Sequence, residues 1–130
     1  MIGLDTNIVL RLFVDDHNSV AARRFVARNC GTDAPGYVNV VSLCEVVWVL
    51  HRVHRYDREA VADILTEVLS SNDIEVQDHD LVRSALAQFK AAKGDFADAL
   101  IGEINQARGC HQTATFDRKA VRLRTFVSAA

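Results

Sequence analysis

Five acidic residues in this sequence stand where predicted strands and helices meet. They are Asp5, Glu45, Asp95, Asp98 and Asp117. Carboxylate oxygens are the ligands that hard divalent cations such as Mg²⁺ and Mn²⁺ prefer. Several carboxylates that share one edge of a protein repel one another, which raises their pKa values or recruits a cation. The five acids are therefore candidate ligands of a divalent metal.

The elements that position these acids can be predicted from the hydrophobic pattern. Strands are predicted at residues 1–4, 37–41, 74–76, 110–115 and 121–127, the last as an exposed edge strand. Helices are predicted at residues 6–14, 17–31, 42–55, 57–71, 78–94 and 95–109. Alternating strands and helices favour parallel pairing with helices on both faces of the sheet. We expect a single α/β domain over residues 1–130, a three-layer α/β/α fold around a mostly parallel sheet of about five strands.

This fold would place the acids at one edge. All strands of a parallel sheet end at the same edge, and a helix that returns antiparallel to the next strand begins there. Asp5 and Asp117 follow strands, whereas Glu45, Asp95 and Asp98 lie in the first turns of helices. The carboxyl edge is where open α/β sheets bind ligands.

Each acid also has a structural interpretation. Asp5 can cap a helix, residues 42–45 and 95–98 match a capping box, and Asp117 can cap the turn at 118–120. Two features favour a functional role instead. Glu45 has apolar neighbours on both sides in the sequence, and Asp98 lies beside apolar positions of its helix. A carboxylate in apolar surroundings is costly unless something neutralises it.

The overall composition excludes some classes of protein. The net charge of −2 argues against a general nucleic-acid coat protein. If the five acids bind metal, the other 12 acidic residues are outnumbered by 15 lysines and arginines. The net charge therefore does not exclude a nucleic-acid substrate. Three widely spaced cysteines predict neither a disulfide framework nor a zinc site, and no signal peptide or membrane span is evident. We expect a cytoplasmic protein without membrane contact.

Four motifs together resemble the PIN-domain ribonucleases, and most closely the VapC-type toxins of bacterial type II toxin–antitoxin systems. They are LDTNIVLRLF (4–13), SLCEVVWVL (42–50), DFADALIGEI (95–104) and TATFDRKA (113–120). The resemblance implies that Asp5, Glu45, Asp98 and Asp117 are the catalytic, metal-binding acids. It also implies residues that support the metal site. Asp95 would be an auxiliary acid or a cap, and the other supporting residues are Thr6, Asn7, Ser42 and Thr115.

The resemblance implies metal-dependent endonucleolytic hydrolysis of RNA that leaves 5′-phosphate and 3′-hydroxyl ends. One or two Mg²⁺ or Mn²⁺ ions would activate water, so no covalent nucleophile is needed. Lys93, Arg118 and Lys119 are candidates for contacts with RNA phosphates, although each is equally explained as a solvated surface cation. The expected partners are a VapB-type antitoxin and a second copy of the chain in a homodimer.

Two other functions compete with this interpretation. A phosphotransferase or phosphatase on a similar sheet needs a second aspartate two residues after the first, but Asn7 stands there. A non-catalytic module that binds RNA or protein has no need of four acids at one edge. Without metal, those acids would repel RNA.

Overall fold

The computed structural model describes all residues, 1–130, and divides them into two compact units. The first unit comprises Met1–Gln77 and the second comprises Asp78–Ala130. None of the helices is both long enough and apolar enough to cross a membrane.

The first unit contains one fully parallel sheet. Its elements are β1 (Ile2–Gly3), α1 (Thr6–Phe13), α2 (Ser19–Asn29), β2 (Gly36–Val38), α3 (Val40–Arg52), α4 (Arg58–Ser70) and β3 (Ile74–Val76). The strands are ordered β1-β2-β3, and both neighbouring pairs are parallel. A pair of helices connects each strand to the next and provides the crossover connection that parallel pairing requires. Fully buried side chains of this core include Val9, Val38, Leu43, Leu50 and Leu65.

The second unit has two helices and a second, smaller sheet. Its elements are α5 (His79–Lys90), α6 (Phe96–Arg108), β4 (Thr113–Thr115), a 3₁₀ helix (Ala120–Arg122) and β5 (Phe126–Ser128). Strands β4 and β5 pair in parallel. Phe89 of α5 and Phe96 of α6 pack edge to face, with ring centroids 6.3 Å apart. This aromatic pair fixes α6, the helix that carries Asp98.

The predicted α/β class, with parallel strands between helices, is confirmed. The prediction of one central sheet is wrong, because the five strands are divided into a sheet of three and a sheet of two. The strands are only two or three residues long, so each offers few backbone groups for pairing. Strand β3 has the predicted bounds, 74–76.

The predicted strand at 37–41 is wrong at its carboxyl end. Val40 and Val41 already belong to α3, although β-branched residues favour strands. Asn39 ends the strand because its side-chain oxygen accepts a hydrogen bond from the Ser42 N–H at 2.9 Å. This N-cap starts the helix at Val40, so Ser42 does not begin a capping box with Glu45.

The predicted edge strand at 121–127 is also wrong in part. Residues 120–122 form a 3₁₀ helix, and the strand begins only at Phe126. The backbone carbonyl of Asp117 accepts a hydrogen bond from the Val121 N–H at 3.2 Å and thereby turns the chain. Burial falls on Leu123, Thr125 and Phe126, whereas Val121 and Val127 are exposed.

A close contact holds α6 against the chain just before β5. A Cβ atom added to Gly102 would meet the side chain of Thr125, with Cβ of Thr125 at 2.9 Å and Cε2 of Phe126 at 3.0 Å. Thr125 is 2% exposed, and its hydroxyl has no hydrogen-bond partner. Only glycine fits at position 102 without displacing these neighbours.

Candidate active site

Asp5 lies just after β1 and caps α1. Its Oδ1 accepts a hydrogen bond from the Thr6 N–H at 2.7 Å, while its side chain stays exposed. The structural interpretation of this acid as a cap is therefore confirmed. Its second carboxylate oxygen is not used by the cap, and the side chain remains accessible to a ligand.

Glu45 is joined to the start of α1 through Thr6. The Thr6 hydroxyl donates a hydrogen bond to Oε1 of Glu45 at 2.9 Å, although the two residues are 39 positions apart in the sequence. This bond fixes one carboxylate oxygen of Glu45 next to the α1 N-terminus, where Asp5 lies. Two of the candidate acids are thus brought to the same end of the first unit.

The expectation that Glu45 lies in apolar surroundings is wrong. Its side chain is exposed, whereas Leu43, Val46 and Val47 of the same helix are buried. The 3.6-residue period of α3 turns position 45 away from the core that its sequence neighbours enter. The Glu45 side chain is therefore accessible to a ligand.

Two polar residues of this edge were missed by the sequence analysis. Asn39 directly follows β2 and caps α3, and Gln77 directly follows β3. The side-chain oxygen of Gln77 accepts a hydrogen bond from the Val40 N–H at 2.9 Å. The available signal was a polar residue immediately after each parallel strand. Both side chains hold α3, and hence Glu45, in position.

The other two predicted supporting residues of this unit differ in accessibility. Asn7 is exposed on the first turn of α1, two residues after Asp5. Ser42 is buried in α3, where its backbone N–H receives the Asn39 cap. Their roles at a metal site stay predictions.

Asp98 is the most perturbed acid in the chain. It is half-buried in the first turn of α6. Burial raises its pKa above the ordinary value of 3.8, and the negative charges of Asp95 and Asp117 raise it further. No lysine or arginine forms an ion pair with any of these three carboxylates. The second unit therefore concentrates uncompensated negative charge around Asp98.

Asp95 and Asp117 differ in whether their side chains make a capping hydrogen bond. Asp95 is the N-cap residue of α6, but its side chain makes no capping hydrogen bond. Asp117 does stabilise a turn, because its Oδ1 accepts a hydrogen bond from the Lys119 N–H at 2.8 Å. The Thr115 hydroxyl in turn accepts a hydrogen bond from the Asp117 N–H at 3.0 Å. Asp117 is thus held in a defined turn, and the Asp95 carboxylate is available.

A different acid of α6 has a purely structural role. Glu103 is 5% exposed, and its Oε1 accepts hydrogen bonds from Arg124 at 2.9 Å and from Gln88. A buried carboxylate with a cation and an amide donor is compensated. Glu103 therefore contrasts with Asp98, which forms no ion pair and whose pKa is raised by burial and by Asp95 and Asp117.

The three predicted phosphate-binding cations lie near these acids in the sequence. Lys93 precedes Asp95 by two residues, and Arg118 and Lys119 directly follow Asp117. All three are exposed, and none is in an ion pair. They are available to a phosphate group, but RNA contact by these residues stays a prediction.

The donor chemistry fits a hard divalent cation. All candidate ligands are carboxylate oxygens, and the crowding around Asp98 is relieved when a cation neutralises it. No group of three or more His, Cys, Asp or Glu side chains already stands in a metal-holding arrangement. The thiol of Cys44 beside Glu45 is not a rival reactive group, because burial raises its pKa and keeps it protonated.

Parallel strands with acids after their carboxyl ends define an α/β protein with an acidic candidate active site. The model of the PIN domain family matches residues 2–125, which covers nearly the whole chain and both units. The chain belongs to the PIN domain family. PIN domains are generally nuclease modules that act on nucleic acid and use divalent metal ions. No curated protein matches the chain.

Proposed function

We propose that this PIN domain is a metal-dependent endoribonuclease. Asp5, Glu45, Asp98 and Asp117 would hold one or two Mg²⁺ or Mn²⁺ ions, with Asp95 as an auxiliary acid. The observation that carries the proposal is the raised pKa of Asp98, which has two acidic neighbours and no cationic partner. An arrangement that costs stability and gains no ion pair is typical of functional sites.

The roles of the chain's own residues follow from their positions. Thr6 holds one oxygen of Glu45, which leaves Oε2 for a ligand. Thr115 holds the backbone of Asp117, while Asn7 and Ser42 belong to the first turns of the helices that carry Asp5 and Glu45. Lys93, Arg118 and Lys119 would bind the phosphates that flank the cleaved bond.

A divalent cation bound there would supply the Lewis acid that activates water and neutralises charge on the phosphate. No side chain of the set is a nucleophile in this reaction, because water attacks the phosphorus atom. The products would carry 5′-phosphate and 3′-hydroxyl ends.

The decisive experiment is cleavage of a total RNA pool, with and without Mg²⁺ or Mn²⁺, by protein stripped of copurified partners. Asp98→Asn should reduce cleavage about 100-fold or more, as expected when a group that stabilises transition-state charge is lost. Asp63→Asn is the matched control, because Asp63 is an exposed acid on α4 outside the site. Equal cleavage by wild type and Asp98→Asn, or no metal-dependent cleavage by folded wild type, would favour a non-catalytic binding module.

We further propose that the nuclease is the toxin of a toxin–antitoxin pair in the cytoplasm, acting as a homodimer restrained by a VapB-type antitoxin. The proposal rests on the four motifs that resemble VapC-type toxins. Induced expression should arrest bacterial growth, and Asp98→Asn should abolish the arrest. Arrest by both proteins would instead indicate toxicity that does not depend on cleavage.

A further inference from the structure

The side chain of Phe116 is the most exposed large apolar side chain in the protein. It is 80% exposed, more than Met1 at 73% or Val41 at 68%. It lies directly between Thr115, the last residue of β4, and the candidate acid Asp117. Neither the core of the second unit nor the metal site explains an aromatic ring in solvent at this position.

The backbone around Phe116 is fixed by hydrogen bonds on both sides. The Thr115 hydroxyl accepts from the Asp117 N–H, and Oδ1 of Asp117 accepts from the Lys119 N–H. The Asp117 carbonyl then accepts from the Val121 N–H. The ring is therefore presented from an ordered turn, and a ligand that contacts it meets a preformed surface.

The residues that flank the ring suit a nucleotide ligand better than they suit a protein core. Its immediate neighbours along the chain, Thr115 and Asp117, are polar, and Arg118 and Lys119 are both exposed and outside any ion pair. Two exposed apolar residues, Ala114 and Val127, pair across β4 and β5 just before the ring, whereas the three residues that follow it are charged. Aromatic rings beside basic side chains stack unpaired bases while the cations bind the phosphates.

We propose that Phe116 stacks on an unpaired base of single-stranded RNA next to the bond that is cleaved. The proposal rests on the proposed nuclease function, since it places the base beside Asp117. It assigns Arg118 and Lys119 to the phosphates of the same nucleotide segment. It also predicts that the protein prefers single strands, because the bases of a duplex are already stacked on each other.

Binding is measured with Mg²⁺ in the Asp98→Asn background, so that the RNA is not cleaved during the measurement. The probes are a 12-nucleotide oligoadenylate and an RNA duplex of the same length. Phe116→Ala should weaken binding of the single strand about 5- to 150-fold, the value of one base–aromatic stack. Binding of the duplex should not change. Phe25→Ala, at an exposed phenylalanine of α2, is the matched control and should change neither affinity.

A spectroscopic measurement tests stacking itself. Trp48→Phe removes the only tryptophan, and Phe116→Trp then places one indole at the proposed contact. Oligoadenylate should quench its fluorescence, and the affinity should match or exceed that of the phenylalanine protein. Phe116→Leu keeps apolar bulk without an aromatic face and should bind as weakly as Phe116→Ala.

Four results would overturn the proposal. One is equal single-strand affinity for wild type and Phe116→Ala together with no quenching. Another is full affinity in Phe116→Leu, which would indicate apolar contact instead of stacking. The third is loss of a dimer on Phe116→Ala, since the ring would then contact a second copy of the chain. RNA cleavage that depends on Asp98 but not on Phe116 would leave the nuclease function intact and remove only the stacking.

Discussion

Gly102→Ala should destabilise the protein although it improves helix propensity. The new methyl group would meet the buried side chain of Thr125 and the ring of Phe126. Overpacking of a core costs about 1–3 kcal/mol, and we expect the upper value because the Cβ of Thr125 cannot rotate away. Alanine in place of glycine in a helix returns about 1 kcal/mol. The net loss in the free energy of unfolding should be about 2 kcal/mol.

Thermal and urea unfolding, followed by circular dichroism, measure this loss. For a cooperative chain of 130 residues, 2 kcal/mol corresponds to a fall of about 7 °C in Tm. The slope of the urea transition should stay constant, because the surface exposed on unfolding hardly changes. Gly31→Ala is the matched control, since a Cβ there meets nothing within 4 Å, and its Tm should not fall.

A double-mutant cycle identifies the contact responsible. Thr125→Ala alone removes a buried hydroxyl that has no partner, a gain that offsets the loss of its buried methyl group, so the net cost should be about 1 kcal/mol or less. Combined with Gly102→Ala, it should recover about 1 kcal/mol, because the hydroxyl no longer opposes the new methyl group. Additive effects of the two substitutions, or a Gly102→Ala protein as stable as wild type, would refute the proposed steric conflict.

Three further outcomes can be measured directly. Asp98→Asn should raise the Tm of the metal-free protein at neutral pH, because it should add about 0.2–1 kcal/mol to the free energy of unfolding. The pKa of Asp98 is raised in the folded state, so the ionised carboxylate destabilises the fold increasingly as pH rises above 3.8. Below that pH the gain from the substitution should vanish. Arg124→Ala should cost about 1–3 kcal/mol by leaving buried Glu103 without its cation, and the added substitution Glu103→Gln should recover part of the loss in urea unfolding. In the folded protein, iodoacetamide should modify exposed Cys110 before Cys44, as peptide mass spectrometry can report; the reverse order would contradict the burial of Cys44.

The sequence predicted correctly those elements for which the hydrophobic period and the residues at the boundaries indicate the same structure. Strand β3 was found because Ile74 and Val76 point into the core while Glu75 does not, and a polar residue follows. The end of β2 was misplaced because Val40 and Val41 have strand propensity. Their helical state depends on Asn39 and on Gln77, a residue 37 positions away whose hydrogen bond local propensity cannot report.

The candidate acids could be identified from their motifs, but their surroundings could not. Glu45 has apolar neighbours in the sequence and yet is exposed, because the period of α3 rather than adjacency decides its environment. For Asp98 the expected burial is confirmed. The exposure of Phe116 depends on the turn that Asp117 forms, so a pattern of residue types could not reveal it.

The division of the chain at residue 77 has a consequence for biosynthesis. The first unit is one continuous segment, Met1–Gln77, and its sheet needs no residue beyond Gln77, so we expect it to fold while the rest of the protein is still being translated. A nascent chain at that stage contains Asp5 and Glu45 but not Asp98 or Asp117, so under the proposed function it should not cleave the messenger and ribosomal RNA around it. Ribosome-stalled chains of increasing length would test this order, and RNA cutting before residue 117 emerges would disprove it.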